Sequence, residues 1–543
     1  MDEQAEESGP PPDFNEAAYL TAFPKIAENI RAGLLKSGYD HYVRKGASEN
    51  RLDQPRYRKA LAEQALLARL AAPVAPSATA QRSERMPAGA PPHLPSGLDA
   101  MIVAPSGYSL VIGWVDDRAT RLSAISLRLA DGRQVPSLNI ARCRRADAEA
   151  ATGCPPGHLL GFFAIVELGE DDMPGPGTAV QLHCGTDTLT HTPRINLMAP
   201  EKLRDHVFEY FASAHYFGSQ PVEAFLQLQG GIGEAFVQLN QELSARIAGR
   251  AHVERHGPHD RRFRASIIVC LYGKIEYLFL QAALFSAAAD AADYEYVYVS
   301  NSPELTEQLQ REARLAARLY GLSFTMIYLP GNAGFGAANN VAVQHASCDR
   351  VLILNPDVFP RDTGWTRRHA EILETRPAEQ TRLFGAPLFY DDGSLMQGGM
   401  YFEADIGLSL NDGAFTRQEL LRVEHYGKGA PPGTKLYLQS RAVPAVTGAF
   451  MSAERAWFER IGGFSEAYVF GHYEDADLCL KAWQAGGQVW VHNLPLWHLE
   501  GKGSVRRAAH EGGSLVNRWL FTRTWLPAVH VDFLGPNPGR IVV

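Results

Sequence analysis

Residues 263–273 read FRASIIVCLYG, an apolar run that enters a loop at its last two residues. The form returns as YEYVYVSNSPE at 294–304, as SFTMIYLPGN at 323–332 and as DRVLILNPDVF at 349–359. Helical patterns fill 304–320 and 336–346, between these runs. Strands alternating with helices predict an α/β domain with a mostly parallel sheet, here over 262–543. Such sheets take their ligands outside the carboxyl ends of their strands. The polar residues that follow each run are therefore the first candidates for chemistry.

Upstream, 199–261 is helical and rich in aromatics, among them Phe208, Tyr210, Phe211, Tyr216 and Phe217, and is expected to bridge to the last domain. Over 99–198 the runs MIVAP, YSLVIGWV, AISLRLA, HLLGFFAIVEL and TAVQLHC are short and punctuated by glycine, proline and aspartate. That spacing predicts an antiparallel β-sandwich, with Trp114 and Phe162 as core aromatics. The segment has no clustered acids or histidines, so it is expected to be an accessory module with a surface for a protein partner. Residues 72–98 are rich in proline, alanine and serine and read as a linker. Residues 1–71 read as a small helical module: Phe14, Tyr19, Leu20, Ile26, Ile30 and Leu34 can share helical faces, Pro24 marks a break or first turn, and 59–71 is a further helix.

The whole chain has 543 residues, 45% hydrophobic and 21% charged, with net charge -8. That balance gives no general reason to expect nucleic acid as a partner. The apolar stretch 278–289 is interrupted by Gln281 and Ser286, too short for a bilayer span of about 20 residues. The opening MDEQAEESGPP is acidic, so no secretory signal is expected and the protein is placed in the cytoplasm. Cysteines stand at 143, 154, 184, 270, 348 and 479 without a CxxC pair. Cys270 and Cys479 read as buried small hydrophobes, and a reducing compartment disfavours a Cys143–Cys154 bridge.

Four constellations stand out. In Asn355-Pro356-Asp357, the apolar run Val351–Leu354 delivers a carboxylate to a strand end. It can hold Mg2+ or Mn2+ against a diphosphate, or be a plain turn aspartate. In Asn332-Ala-Gly334-Phe335-Gly336-Ala-Ala-Asn339-Asn340, two glycines let backbone pass close to a ligand, or serve packing, ahead of a helix start. In His472-Tyr473-Glu474-Asp475-Ala476-Asp477, three carboxylates crowd into four positions. They form an acidic helix start, or Asp475 points into a cleft while its neighbours hold the turn. In Trp497-His498-Leu-Glu-Gly-Lys502-Gly-Ser504, His498 is a ligand or a core histidine, and Lys502 and Ser504 sit on glycine-flexed backbone able to touch phosphate.

In this order over 264–525, these pieces resemble family 2 of the glycosyltransferases, with its GT-A fold, and within it the bacterial rhamnosyltransferase-like enzymes of cell-surface polysaccharide synthesis. The resemblance implies a Rossmann-like nucleotide-diphospho-sugar transferase domain. It implies inverting transfer to a glycan or lipid-linked glycan, with Mn2+ or Mg2+ as cofactor. In that family Asp-x-Asp holds the metal, relaxed here to Asn355-Pro356-Asp357, so Asp357 would be the ligand and Asn355 would lie near the donor. The family's Asn-x-Gly-Phe-Gly-x-x-Asn-Asn segment matches Asn332, Gly334, Phe335, Gly336, Asn339 and Asn340. Its Glu-Asp pair matches Glu474-Asp475, with Asp475 implied as catalytic base, and its late histidine matches His498 as a further metal ligand. Glu474, Asp477, Trp497, Lys502 and Ser504 fall on the acceptor or diphosphate side. The second strand ends Val299-Ser300-Asn301, where the family often has aspartate. Ser300 or Asn301 would then meet the base, and Tyr272 would stack on it or pack in the core. A lipid-linked acceptor would suit peripheral docking at the inner face of the plasma membrane. Two rival readings stay open: a noncatalytic glycan- or nucleotide-binding protein, and a nucleotidyltransferase. The latter is disfavoured by the absence of a glycine-rich basic loop after the first strand, where Leu271-Tyr272-Gly273-Lys274-Ile275 stands.

Overall fold

The computed structural model describes residues 14–31, 35–46, 49, 51–54, 57, 94–104, 107–143, 145–155, 158–169, 172, 174–216, 221–259, 262–375, 381–411, 414–499, 507–534 and 540–542. The chain divides into two compact units, Met1–Pro92 and His93–Val543.

In the first unit, short helices span Glu16–Ala22, Pro24–Arg31 and Gly38–His41. Pro24 opens the second, where its missing N–H costs nothing. Asn15 caps the first by accepting from the Ala18 N–H at 2.9 Å, and Ser37 caps the third through the Asp40 N–H at 3.0 Å. Ala18, Tyr19, Phe23, Ile26 and Tyr57 make the core, with Phe14 and Tyr42 packed on it. The helix expected over 59–71 and most of the linker expected over 72–98 lie outside the described residues. Ser96–Leu98, counted with that linker, instead begin a strand.

The second unit opens with the predicted β-module. Its eight strands form one connected sheet, folded over at Gln134–Cys143. The start of that strand pairs with Leu122–Arg128 and its remainder with Gly161–Glu167. Met101, Val111, Ile125, Leu127, Phe162 and Leu182, from both halves, meet in one core. Trp114 differs from expectation: it is only partly buried, and its indole lies against Gly97.

A nine-stranded sheet follows, and its centre is the α/β domain. Arg350–Leu354, Ala265–Leu271, Tyr294–Ser300 and Ser323–Tyr328 lie side by side in that order, all parallel. Ile267 and Val269 enter one core while Ile268 and Cys270 enter the other. Burial on both faces explains why these strands read as unbroken apolar runs rather than alternating ones. Phe450–Glu454 adds antiparallel beside Arg350–Leu354, and His252–His256 closes the opposite edge. Late in the chain, Gln488–Val491 and Leu496–His498 are two strands in different sheets. Pro495 interrupts between them, having no N–H to continue a ladder.

The expected bridge is helices Pro200–Tyr216, Pro221–Gln227 and Gly233–Ala248. Their Val207, Phe208, Phe211 and Phe236 share one core with Ile112 and Phe163 of the β-module and with Phe470, Val516 and Trp519. The C-terminal helix Ala508–Val529 approaches Pro200–Tyr216 so closely that a Cβ on Gly512 would overlap the Phe208 carbonyl oxygen. The six cysteines are buried and unbridged, and among the described residues no helix is long and apolar enough to cross a membrane.

Alanine normally favours a helix interior by about 1 kcal/mol over glycine. Overpacking at the Phe208 carbonyl reverses that sign, so Gly512→Ala should lose about 1–3 kcal/mol in urea denaturation.

Candidate active site

A cleft of about 500 Å³ opens at the carboxyl edge of the parallel strands. The chain leaves each strand there, and Tyr272, Asn301, Asn332 and the Asn355–Asp357 turn come to one rim.

Asp357 is set by a second pairing. Val358–Pro360 runs antiparallel to Leu496–His498, with Val358 opposite His498. This ladder brings His498 Nε2 to 3.3 Å from Asp357 Oδ1. Both side chains are deeply buried, at 3% and 5% exposure, and both line the cleft. His498 Nδ1 has no hydrogen-bond partner among the described residues. An acceptor-only carboxylate and an imidazole converging at one wall are hard and intermediate ligands that suit a divalent ion. No group of three or more His, Cys, Asp or Glu side chains suitable for a metal occurs among the described residues.

On the opposite wall, helix Glu474–Gln484 begins at the cleft. Phe470, His472 and Tyr473 precede it with φ of 58°, 82° and 74°, in the left-handed region that glycine favours. The buried Asn517 holds them. Its Nδ2 donates to the carbonyls of Val469 at 2.9 Å, Gly471 at 2.7 Å and His472 at 3.1 Å, while its Oδ1 accepts from the Val469 N–H at 2.7 Å. The turn leaves Asp475 half-buried in the cleft. Its Oδ2 accepts from the Gly448 N–H at 3.0 Å and its Oδ1 from the Ala476 N–H at 2.8 Å.

The three acids of the motif part company. Glu474 lines the cleft but is 5% exposed, and its Oε2 has no hydrogen-bond partner among the described residues. Burial first, then the charge of Asp475, holds its carboxyl well above the usual range. Asp477 turns away from the cleft: Trp525 Nε1 donates to its Oδ1 at 2.8 Å and the Tyr468 hydroxyl at 3.2 Å. It ties helix to helix, which corrects its placement on the acceptor side.

The remaining candidates divide similarly. Tyr272 lines the cleft, its ring 5.7 Å from that of His510. Burial pushes His510 down to about 4, so its ring is neutral at pH 7. Asn301 reaches the cleft wall, but its Nδ2 donates to Gly334 O at 3.2 Å and its Oδ1 accepts from the Ala333 N–H at 3.0 Å, so it braces the Asn332–Gly334 loop. Ser300 is buried against the Ser302 backbone and does not line the cleft. Asn332, Phe335 and Asn355 line it. Gly334 is held at φ 86°, where a side chain is strained, and Gly336 serves close packing, since a Cβ there would press on Phe464 and Ser465. Asn339 donates to Phe335 O within its own helix, and Asn340 pins Phe464, so neither amide reaches the cleft. Trp497 points away from His498, as alternation in a strand requires, and stacks under Arg361 at 4.2 Å. Lys502 and Ser504 lie outside the described residues.

Sequence reasoning missed the third wall. Met396, Met400, Val423 and His425 line the cleft from the neighbourhood of the long hairpin Met400–Asn411/Ala414–His425. Thr447–Ala449 forms its floor, and His510 and Ser514 enter from the C-terminal helix. The left-handed stretch 470–473 carries no glycine except Gly471, so nothing in its composition announced it.

Residues 266–383 match the family model described as Glycosyl transferase family 2. An uncharacterized protein of Sinorhizobium fredii, y4gI, is 30% identical over 167 residues, which cover 31% of this chain and 17% of that protein. The chain thus matches about a sixth of the length of that curated relative. Among solved structures, GalNAc-T7 with UDP, GalNAc and Mn2+ aligns at 15% identity and a TM-score of 0.34, covering 49% of this chain and 48% of that one. A mannosyltransferase of Pyrobaculum calidifontis, PcManGT, in complex with GDP-Man and Mn2+, aligns at 13% identity and a TM-score of 0.32, covering 60% and 87%.

A carboxyl whose folded pKa is raised is neutral in both states below the unfolded value of about 4.3. Above that pH the unfolded chain ionises freely and the folded one does not, so stability falls as pH rises toward the folded value. Glu474→Gln removes this slope. Its denaturation midpoint should gain on the parent as pH rises above the unfolded value, and the gain should level off once Glu474 of the folded parent ionises. A gap independent of pH would mean that Glu474 ionises normally.

Proposed function

We propose, from the match of residues 266–383 to glycosyl transferase family 2, that the chain transfers a sugar from a nucleotide-diphosphate donor to an acceptor hydroxyl, with inversion at the anomeric carbon. The observation that carries the reading is the pairing of two walls across one cleft: Asp357 with His498 on one, Asp475 on the other. A donor diphosphate suits the first wall and a nucleophilic hydroxyl the second.

Asp357 and His498 would hold a divalent ion, Mn2+ or Mg2+, whose other positions are left to phosphate oxygens and water. When bound, such an ion supplies neutralisation of the charge that grows on the leaving diphosphate. The acceptor oxygen forms its bond to the anomeric carbon as the bond to the diphosphate oxygen breaks. Asp475 takes the proton of that hydroxyl. Two backbone N–H groups, of Gly448 and Ala476, orient its carboxylate. Its contribution is therefore chiefly position. Tyr272 and the neutral ring of His510 offer flat apolar faces for the base. Asn332 and Asn355 offer polar groups to the rest of the donor.

The acceptor in this reading is a glycan or lipid-linked glycan, in keeping with the polysaccharide-synthesis enzymes that the motifs resemble. Rhamnose is the sugar to test first on the same ground.

Asp475→Asn should lower turnover by at least about a thousandfold, within the 10²–10⁴ range of general-base catalysis, while donor affinity stays within about threefold. Turnover near the parent's would remove Asp475 as base. Asp357→Ala should abolish the Mn2+-dependent part of donor binding in calorimetry with thymidine-, uridine- and guanosine-diphosphate sugars. Unchanged titrations would take Asp357 out of the donor site. Donor binding by the parent with no transfer to any acceptor would favour the noncatalytic reading.

A further inference from the structure

One buried cation belongs to neither wall. Arg204 sits on helix Pro200–Tyr216, upstream of the α/β domain, and is 1% exposed. Its Nη2 donates to the Asn332 carbonyl at 2.8 Å. Its guanidinium lies 4.6 Å from the centre of the Phe470 ring. It therefore touches both the Asn332–Gly334 loop on the donor side and the left-handed segment that leads to Asp475. Those two loops also meet directly, because the Phe335 N–H donates to the Phe470 carbonyl.

The placement is costly. Nε and Nη1 have no hydrogen-bond partner among the described residues, and the Asp205 carboxylate stays 3.6 Å from Nη2. Burial pulls the Arg204 pKa below its ordinary value. A packing role alone would not call for a charge at this depth, since a buried charge is costly to desolvate. The rest of the helical segment acts on the same loop. Asn240, on helix Gly233–Ala248, donates from Nδ2 to the carbonyls of Glu466 at 3.2 Å and Tyr468 at 3.3 Å.

We propose that Arg204 is a positioning residue that sets the Asp475 turn in register with the donor loop, which makes helix Pro200–Tyr216 part of the catalytic unit and not a spacer. The role in turnover rests on the transferase reading; the positioning does not. A guanidinium is suited to the task because one planar group can donate in its plane and stack on an aromatic face.

The test uses the full chain with Arg204→Met and Arg204→Lys. Arg204→Met leaves the Asn332 carbonyl without its donor, so its melting temperature is read alongside and activity is taken per folded molecule. Its kcat should fall at least about tenfold, with donor KM within about threefold, because misplacement of a base by an ångström or so costs about a hundredfold. Arg204→Lys, which keeps the charge and one donor, should recover part of that loss. Amide exchange over 469–475 should quicken in Arg204→Met, while the strands Ala265–Leu271 and Arg350–Leu354 exchange as before. Parent-like kcat together with parent-like exchange in Arg204→Met overturns the proposal. So does a kcat loss that matches the unfolded fraction. If Arg204→Met does not fold, Arg204→Lys with full kcat and parent-like exchange overturns it equally. If the parent itself neither binds nor turns over donor, the transferase reading fails, and the exchange measurement still decides the positioning.

Discussion

The cleft depends on one amide. Phe470, His472 and Tyr473 hold left-handed backbone, which costs a non-glycine residue about 1–3 kcal/mol. Asn517 carries neither charge nor reactivity, yet its side chain satisfies three carbonyls and one N–H of that segment from inside the core. A buried donor or acceptor left unpaired costs about 1–3 kcal/mol, so the pinned turn is favoured over any relaxed one that releases these groups. Relaxation would re-aim the first turn of helix Glu474–Gln484. Asp475 would then leave Gly448.

The C-terminal helix can hold the turn because the bridging helices hold it. Gly512 allows backbone contact with Phe208, and Gly513 lets Val469 and Phe470 lie against the helix. Phe470 in turn packs with Phe208 and Trp519 in a core that reaches the β-module through Phe163. The accessory segments thus share one apolar core with the Asp475 wall. The Asp357 wall is built otherwise. It hangs on the parallel sheet and on the short ladder of Val358–Pro360 with Leu496–His498.

Glu474 and Asp475 show how neighbours in sequence acquire different chemistry. Glu474 goes into the protein, and burial favours its neutral form. Asp475 goes into the cleft, where the Gly448 and Ala476 N–H groups fix the direction of its side chain. Asp477 is one helical turn from Glu474 and is held by an indole, a phenol and, at 3.4 Å, the Lys481 ammonium. One acidic motif therefore divides into a buried carboxyl with a raised pKa, a candidate base and a structural tie.

The parallel strands were legible because burial on both faces demands unbroken apolar runs, and the residues at their carboxyl ends were legible because parallel strands deliver their ends to one edge. Tyr272, Asn332, Asn355 and Asp357 follow from that rule, whereas the spacing around Asp475 left an acidic helix start as its alternative and the family resemblance implied its role. Separate strands at Gln488–Val491 and Leu496–His498 were legible in principle from Pro495. The roles of Asn301, Asn339 and Asp477 were not, since an amide or carboxylate at a strand end or helix start looks the same whether it faces ligand or core. Orientation there is decided by which partners lie within about 3 Å, and those partners are distant in the chain. Arg204 meets Asn332 and Phe470 across separations that no local pattern records. Local spacing determined the elements and the chemistry available at their ends. Tertiary packing alone decided which of those groups face the cleft, because hydrogen bonding and desolvation act between segments that only the fold brings together.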